Sequence, residues 1–314
     1  MHIHTQQLTK RYRRGALALD RLDLHVPGGM FGLLGANGAG KTTLMRVLAG
    51  ILAPTSGVAS VDGVPLDRPR NRRRIQRELG YLPQELGVYP DLNARRFLDY
   101  LAILKGVHDS ALRRRSVDRL LETVALGEHA NRKVGTFSGG MKRRLGIAQA
   151  LLGEPRLLIV DEPTAGLDPT ERIRFRNLLT ELARDRTVLL STHIVEDIAS
   201  ICPRLAVMAR GRIVHTGSTT SLVAAARDRT WLVDLPHRGQ PPAGATVVSS
   251  IDHGDHLTCR IISDDAPPGA RPAEPTLEDG YLALTHELSE PTRLSAEMDR
   301  PAAAAHLFRP GAGS

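Results

Sequence analysis

Long apolar runs are missing from this sequence: no stretch of about 18 uncharged apolar residues occurs in its 314 positions, so no transmembrane helix is expected. The opening residues Met1-His2-Ile3-His4-Thr5-Gln6 lack the basic start and apolar run of a secretory signal, which points to a cytoplasmic protein. Cysteine is scarce. Cys202 and Cys259 show no CxxC spacing, so two reduced, buried thiols fit better than a disulfide or a metal site. Aromatic residues make up only 4%, too few for the stacking platforms that read nucleic acid bases. Lysine is rare too, occurring only at positions 10, 41, 105, 133 and 142.

What is present is arginine, 37 of the 42 basic residues, giving a net charge of +8. The arginines cluster at Arg68, Arg70, Arg72, Arg73, Arg74 and Arg77, and again at Arg113, Arg114 and Arg115. A solvated surface is the first reading of these clusters. Contact with lipid headgroups or acidic loops of a membrane partner comes second, and nucleic acid last. Apolar residues at 41% and charged residues at 24% are the balance of a soluble globular chain, long enough for a full α/β core and a small second domain.

Leu22–Val26 alternates apolar and polar residues as a half-buried strand does, and Met30–Leu34 reads as a fully buried one. A glycine-rich loop at 35–40 leads into apolar residues at helical spacing from Lys41 to Ala49, closed by Gly50. Residues 58–67 read as a hairpin turning at Asp62-Gly63, Leu79–Leu82 as a strand, and Leu92–Leu126 as interrupted helix. Strands at Arg156–Val160, Thr187–Leu190 and Arg204–Ala209 then alternate with helices after Pro169 and from His193. Alternation of this kind predicts an α/β core with a parallel sheet and helices on its faces. The composition changes after Arg227. Residues 228–288 read as a small appendage, mainly β or α+β, and 289–314, rich in Pro, Ala and Gly, as a disordered tail.

Gly35-Ala36-Asn37-Gly38-Ala39-Gly40-Lys41-Thr42 matches the P-loop pattern, followed by Thr43 at the helix start. Glycines let successive backbone N–H groups face the phosphates of a nucleotide, and the helix N-terminus adds its positive dipole end. Lys41 neutralises phosphate charge and the Thr42 hydroxyl is placed to ligate Mg²⁺. Leu157–Glu162 is an apolar run ending in two acids. A buried strand there delivers Asp161 to the Mg²⁺ shell and Glu162 to the proton of an attacking water.

Further motifs stand in the order of the ATP-binding cassette (ABC) family, which residues 2–225 resemble. Phe137-Ser138-Gly139-Gly140-Met141 resembles the family signature, Gln84 the Q-loop glutamine, Ala165-Gly166-Leu167-Asp168 the D-loop and His193 the switch histidine. Tyr12 sits at the place of the adenine-stacking aromatic. Singly each is bland: a helix cap, a strand-end tyrosine, a solvated histidine. Only the common register lifts them. The resemblance implies a P-loop NTPase core of ABC type over residues 1–227, with an antiparallel β subdomain and a helical subdomain at about 85–137. It implies binding of ATP and Mg²⁺, with Gln84 as well as Thr42 and Asp161 near the metal. It also implies a sandwich in which Ser138, Gly139 and Gly140 of one chain reach the γ-phosphate held by another, and Asp168 approaches the partner's P-loop. The signature departs from the family pattern at Phe137, usually leucine, and at Met141, usually glutamine. Met141 lacks the amide that would hydrogen-bond the partner's nucleotide.

The function expected from that resemblance is an ATPase subunit, peripheral on the inner face of the membrane, that works as a homodimer or cassette pair with separate permease chains. The signature variant, Leu82-Pro83-Gln84 and Pro275–Leu282 look like the drug- and antibiotic-export branch. A non-transport cassette acting on ribosomes or DNA is the second reading. Such relatives carry two cassettes or a long coiled coil, and this chain shows neither. A binding module that has lost catalysis fits poorly with Asp161, Glu162 and His193 all present.

Overall fold

The computed structural model describes residues 1–13, 15–237 and 239–286. The tail expected at 289–314 lies outside them. The chain opens with β1 (Ile3–Arg11) and β2 (Leu17–Val26), whose buried Ile3, Leu8, Leu19, Leu22, Leu24 and Val26 alternate with exposed polar residues. β3 (Met30–Leu34) is buried throughout and runs into α1 (Lys41–Leu48). β4 (Ser56–Val61) and β5 (Val64–Pro65) form the expected hairpin; Asp62 and Gly63 both take positive φ, the pairing that lets a two-residue turn follow strand twist. These strands make an antiparallel sheet ordered β2-β1-β4-β5.

The arginine cluster at 68–77 is a helix, α2 (Pro69–Glu78), which buries Ile75 alone and turns most of its guanidinium groups to solvent. β6 (Leu79–Leu82) follows, then the helical segment: α3 (Ala94–Leu104), α4 (Ser110–Thr123), two short 3₁₀ turns and α5 (Gly139–Leu151). Their N-termini are capped by Asn93, Asp109 and Ser138, each accepting a backbone N–H three residues on. β7 (Leu157–Asp161), α6 (Pro169–Leu182), β8 (Thr187–Thr192), α7 (Val195–Ile201), β9 (Arg204–Ala209) and β10 (Arg212–Ser218) complete a sheet ordered β10-β9-β3-β8-β7-β6. Five of its strands are parallel and β10 is an antiparallel edge. β3, β7 and β8 are buried on both faces, so apolar residues run unbroken through β3 and through β7 up to Asp161, and fill the middle of β8. Cys202 packs beneath this sheet, and burial pushes its thiol up to about 12; it is a structural thiol, as expected.

After α8 (Thr219–Ala224) come β11 (Thr230–Leu235), β12 (Thr246–Asp252), β13 (Leu257–Ile262) and β14 (Arg271–Pro272), an antiparallel sheet ordered β12-β13-β11-β14. The last element of this part is a helix, α9 (Leu277–His286), which the purely β form of the expected appendage leaves out. This helix packs on α7 and α8, where Leu277, Tyr281 and Leu284 join the main core. Gly280 permits the approach: a Cβ there would lie 2.0 Å from the Leu222 carbonyl oxygen.

The start of α9 is held by a reciprocal cap. The Thr276 N–H donates to Asp279 (2.6 Å) and the Asp279 N–H to the Thr276 hydroxyl (3.3 Å). Asp279, fully buried, also takes Arg260 from β13 at 2.5 and 2.9 Å. Burial alone would raise its pKa, but Arg260 and Thr276 outweigh it and hold the carboxyl below its usual range. A lowered carboxylate pKa contributes stability that is present above the unfolded-state value and is lost as pH falls through the folded one. Asp279→Ala is expected to cost about 3 kcal/mol by stranding Arg260 and uncapping the helix. Faster amide exchange confined to α9 and β13 at neutral pH is the measurement that checks it.

Candidate functional site

Three adjacent parallel strands end level with one another: Leu34 of β3 pairs with Thr192 of β8, and Asp161 of β7 with Ser191 of β8. The segments leaving these strands therefore gather at one edge of the sheet, where ligands sit in α/β folds. After β3 comes the loop Gly35–Gly40, with Gly38 and Gly40 at positive φ, a conformation that costs other residues dearly. Gly35 is required sterically, since a Cβ would lie 2.4 Å from the Met208 carbonyl oxygen. Lys41 opens α1 with its side chain 5% exposed. Its ammonium reaches the Gly35 carbonyl (2.6 Å), the Ala36 carbonyl (3.2 Å) and Glu162 Oε1 (3.0 Å).

Glu162 is 3% exposed and follows β7 with φ of +50°, a left-handed conformation that costs a non-glycine residue on the order of 1–3 kcal/mol. Its N–H is tied to the Ser191 carbonyl (3.0 Å), and its second carboxylate oxygen meets His193 Nδ1 at 2.5 Å. The carboxylate thus bridges Lys41 and His193, residues from three different strand ends. Tyr12, 39% exposed, places its hydroxyl 3.2 Å from the Thr43 hydroxyl, so its ring flanks the start of α1.

Asp161 answers whether the site fits a divalent cation. One oxygen accepts the Ser191 hydroxyl at 2.5 Å; the other is buried with no hydrogen-bond partner. Burial raises the Asp161 pKa above the usual carboxylate range, against the pull of Ser191 and Thr42. An orphaned carboxylate oxygen beside the Thr42 hydroxyl is a hard-oxygen donor set of the kind Mg²⁺ takes, with phosphates and water completing the shell. No cluster of three His, Cys, Asp or Glu side chains suited to a metal occurs among the described residues, so a cage built from protein alone is not the pattern here.

Gln84 follows β6 and, with Asn37, Gly38, Gly40, Lys41, Thr42, Thr43 and Glu162, lines a cavity of about 330 Å³. The structure therefore brings together Lys41, Thr42, Thr43, Gln84, Asp161, Glu162 and His193. Ala36 and Ala39 lie on another wall of the loop, facing Tyr281 and Thr285 of α9 across about 230 Å³. Ser138, Gly139, Gly140 and Asp168 do not line the Gln84 cavity: Ser138 caps α5, and Asp168 caps α6 by accepting the Glu171 N–H at 2.9 Å. Met141 joins that cap of α5 through its backbone N–H, a contact indifferent to its side chain.

Sequence reasoning does not assign a site role to Arg143, Ser191, Tyr281 or the buried pair Thr164–Asp197, in which the residue just before Ala165–Asp168 hydrogen-bonds α7. Ser191 and Thr164 lie in recognisable runs, and Tyr281 falls within Pro275–Leu282, a stretch noted for its resemblance and not for a place beside the phosphate loop; Arg143 carries no signal along the chain.

The ABC transporter family profile matches residues 19–165. Nod factor export ATP-binding protein I of Burkholderia pseudomallei is 43% identical over 225 residues, which is 71% of this chain and 73% of that protein. The probable multidrug ABC transporter ATP-binding protein YbhF of Escherichia coli is 39% identical over 71% of this chain, a match that spans 38% of YbhF. Among solved structures, the ATP-binding cassette MJ0796, in a dimeric post-hydrolysis state bound to ADP and phosphate, superposes with a TM-score of 0.64 at 25% identity. That match covers 69% of this chain and 98% of MJ0796. CbiO1 of Clostridium perfringens, part of an ABC transporter complex, gives 0.64 at 27% identity over 71% of this chain and 90% of its own. With a phosphate loop, an orphaned acid and a histidine-paired glutamate at one sheet edge, and relatives of this identity and coverage, the chain belongs to the ATP-binding cassette family of transporter ATPases.

Proposed function

We propose that the chain is the ATP-hydrolysing subunit of an exporter, working as a pair of cassettes that drive separate permease chains to move a drug- or antibiotic-like small molecule. The observation that carries the catalytic part is the buried Lys41–Glu162–His193 cluster beside the P-loop. ATP lies along Gly35–Thr43 with Tyr12 against the adenine, and Lys41 turns to the phosphates. Glu162 takes the proton of the attacking water, and His193 holds the far oxygen of that carboxylate and donates to the γ-phosphate. Thr42, Asp161 and Gln84 would hold Mg²⁺, which would supply neutralisation of phosphate charge. Ser138, Gly139, Gly140 and Asp168 act on the nucleotide of the second chain. Their place outside the Lys41 cavity is compatible with that role, and the dimeric state of MJ0796 supports it.

The permease part rests on a groove of about 810 Å³ between α2, α3, α5 and β6, lined by Ile51, Leu101, Leu104 and Tyr81. Ile51 and Leu104 are 59% and 66% exposed, an apolar edge that a partner would cover. Among the described residues no helix is long and apolar enough to cross a membrane, so the path for cargo is assigned to other chains. The names of the Burkholderia and Escherichia relatives support export. Co-purification with a multi-helix membrane protein, lost in Ile51→Asp/Leu104→Asp while ATP binding stays intact, is the expected result. Recovery with ribosomes instead would replace transport by the non-transport reading.

A further inference from the structure

Arg143 lies in the first turns of α5, half-buried, five residues beyond Ser138. Its guanidinium donates to three carbonyl oxygens on two other segments: Pro83 at 3.2 Å, Gln84 at 2.8 Å and Glu162 at 3.2 Å. The third contact completes the restraint on the left-handed Glu162, whose N–H is already tied to Ser191. A non-glycine residue stays in that conformation only where its surroundings over-determine it, and here the peptide is gripped on both sides. Burial holds the Arg143 pKa below its usual value, against the opposing pull of Asp161 and Glu162.

We propose that Arg143 is a positioning residue: it clamps the backbone of Glu162 and of Gln84 to the helix that Ser138 caps, and so aims both side chains. The proposal rests on Glu162 being the base. A guanidinium suits the task because its fixed fork presents separate N–H groups to separate carbonyls, whereas a lysine ammonium is a point donor. Without the clamp the Glu162 carbonyl loses a donor, its strained turn relaxes, and the carboxylate leaves the line of the attacking water. Displacements of about 1 Å at such a group cost on the order of 100-fold in rate.

The full-length chain carrying R143M is expected to hydrolyse ATP about 10–100-fold more slowly at saturation, with an ATP dissociation constant within about threefold of the parent's. R143K recovers part of the rate, and serves in place of R143M should the latter melt early. Amide exchange rises in peptides spanning 83–88 and 161–164 and not elsewhere in the sheet. In an E162Q background, adding R143M lowers the residual rate less than about threefold, because the effect of Arg143 runs through the missing base. An unaltered rate in R143M, or losses that simply multiply in the double variant, overturns the proposal. A wild-type rate in E162Q defeats the base assignment instead. The clamp is then judged by exchange alone, and unchanged exchange at 83–88 and 161–164 in R143M overturns it.

Discussion

Glu162→Gln is expected to leave ATP binding intact and to lower steady-state hydrolysis by about 10²–10⁴-fold, the span associated with loss of a general base. The substitution is close to isosteric. The new amide oxygen still accepts from Lys41, which stands 3.0 Å away, and the amide nitrogen can donate to His193 Nδ1. The local geometry is therefore kept while the site loses its ability to take a proton. Because binding persists and cleavage does not, nucleotide-bound pairs accumulate. Light scattering after gel filtration in ATP and Mg²⁺ is expected to show twice the chain mass for the variant and mostly single chains for the parent. Phosphate release from the variant at the parental rate would remove Glu162 from the reaction.

Lys41→Ala acts one step earlier. Lys41 holds the loop carbonyls at Gly35 and Ala36 and pairs its ammonium with Glu162. A charged hydrogen bond to phosphate contributes about 2–3 kcal/mol, so ATP affinity is expected to fall roughly 30–150-fold, with turnover lost. The variant also leaves a carboxylate only 3% exposed with His193 as its remaining side-chain partner, and unfolding on heating begins earlier for that reason. Titration with a fluorescent ATP analogue measures the first effect, and an unaltered dissociation constant would place the phosphates elsewhere.

The parts of the fold that are legible in the sequence are those where local sterics and burial act on adjacent residues. β3, β7 and β8 announce themselves because strands buried on both faces exclude charge along their length, leaving it only at the functional end of β7, Asp161. The glycine loop before Lys41 is legible because positive φ at Gly38 and Gly40 leaves few alternatives. α2 is not, since a helix that buries only Ile75 has no apolar period to display. α9 hides in a β appendage because its apolar face is met by α7 and α8, which the chain reaches only by returning to its core. Within the site, the acids and the histidine stand out by their places after strands. Arg143 is invisible for another reason: its partners lie 60, 59 and 19 residues away, and nothing local separates it from the other arginines.

The return of α9 changes how much of the chain can be cut away. Tyr281 and Thr285 share a small cavity with Ala36 and Ala39, so the rear of the phosphate loop backs onto residues near the end of the described chain. Shortening the protein at residue 227, where composition suggests a seam, would strip this buttress and bare Leu222 and Ala226 to water. The excised cassette would be a sticky fragment with a slack nucleotide loop, and measurements on it would describe the cut rather than the enzyme.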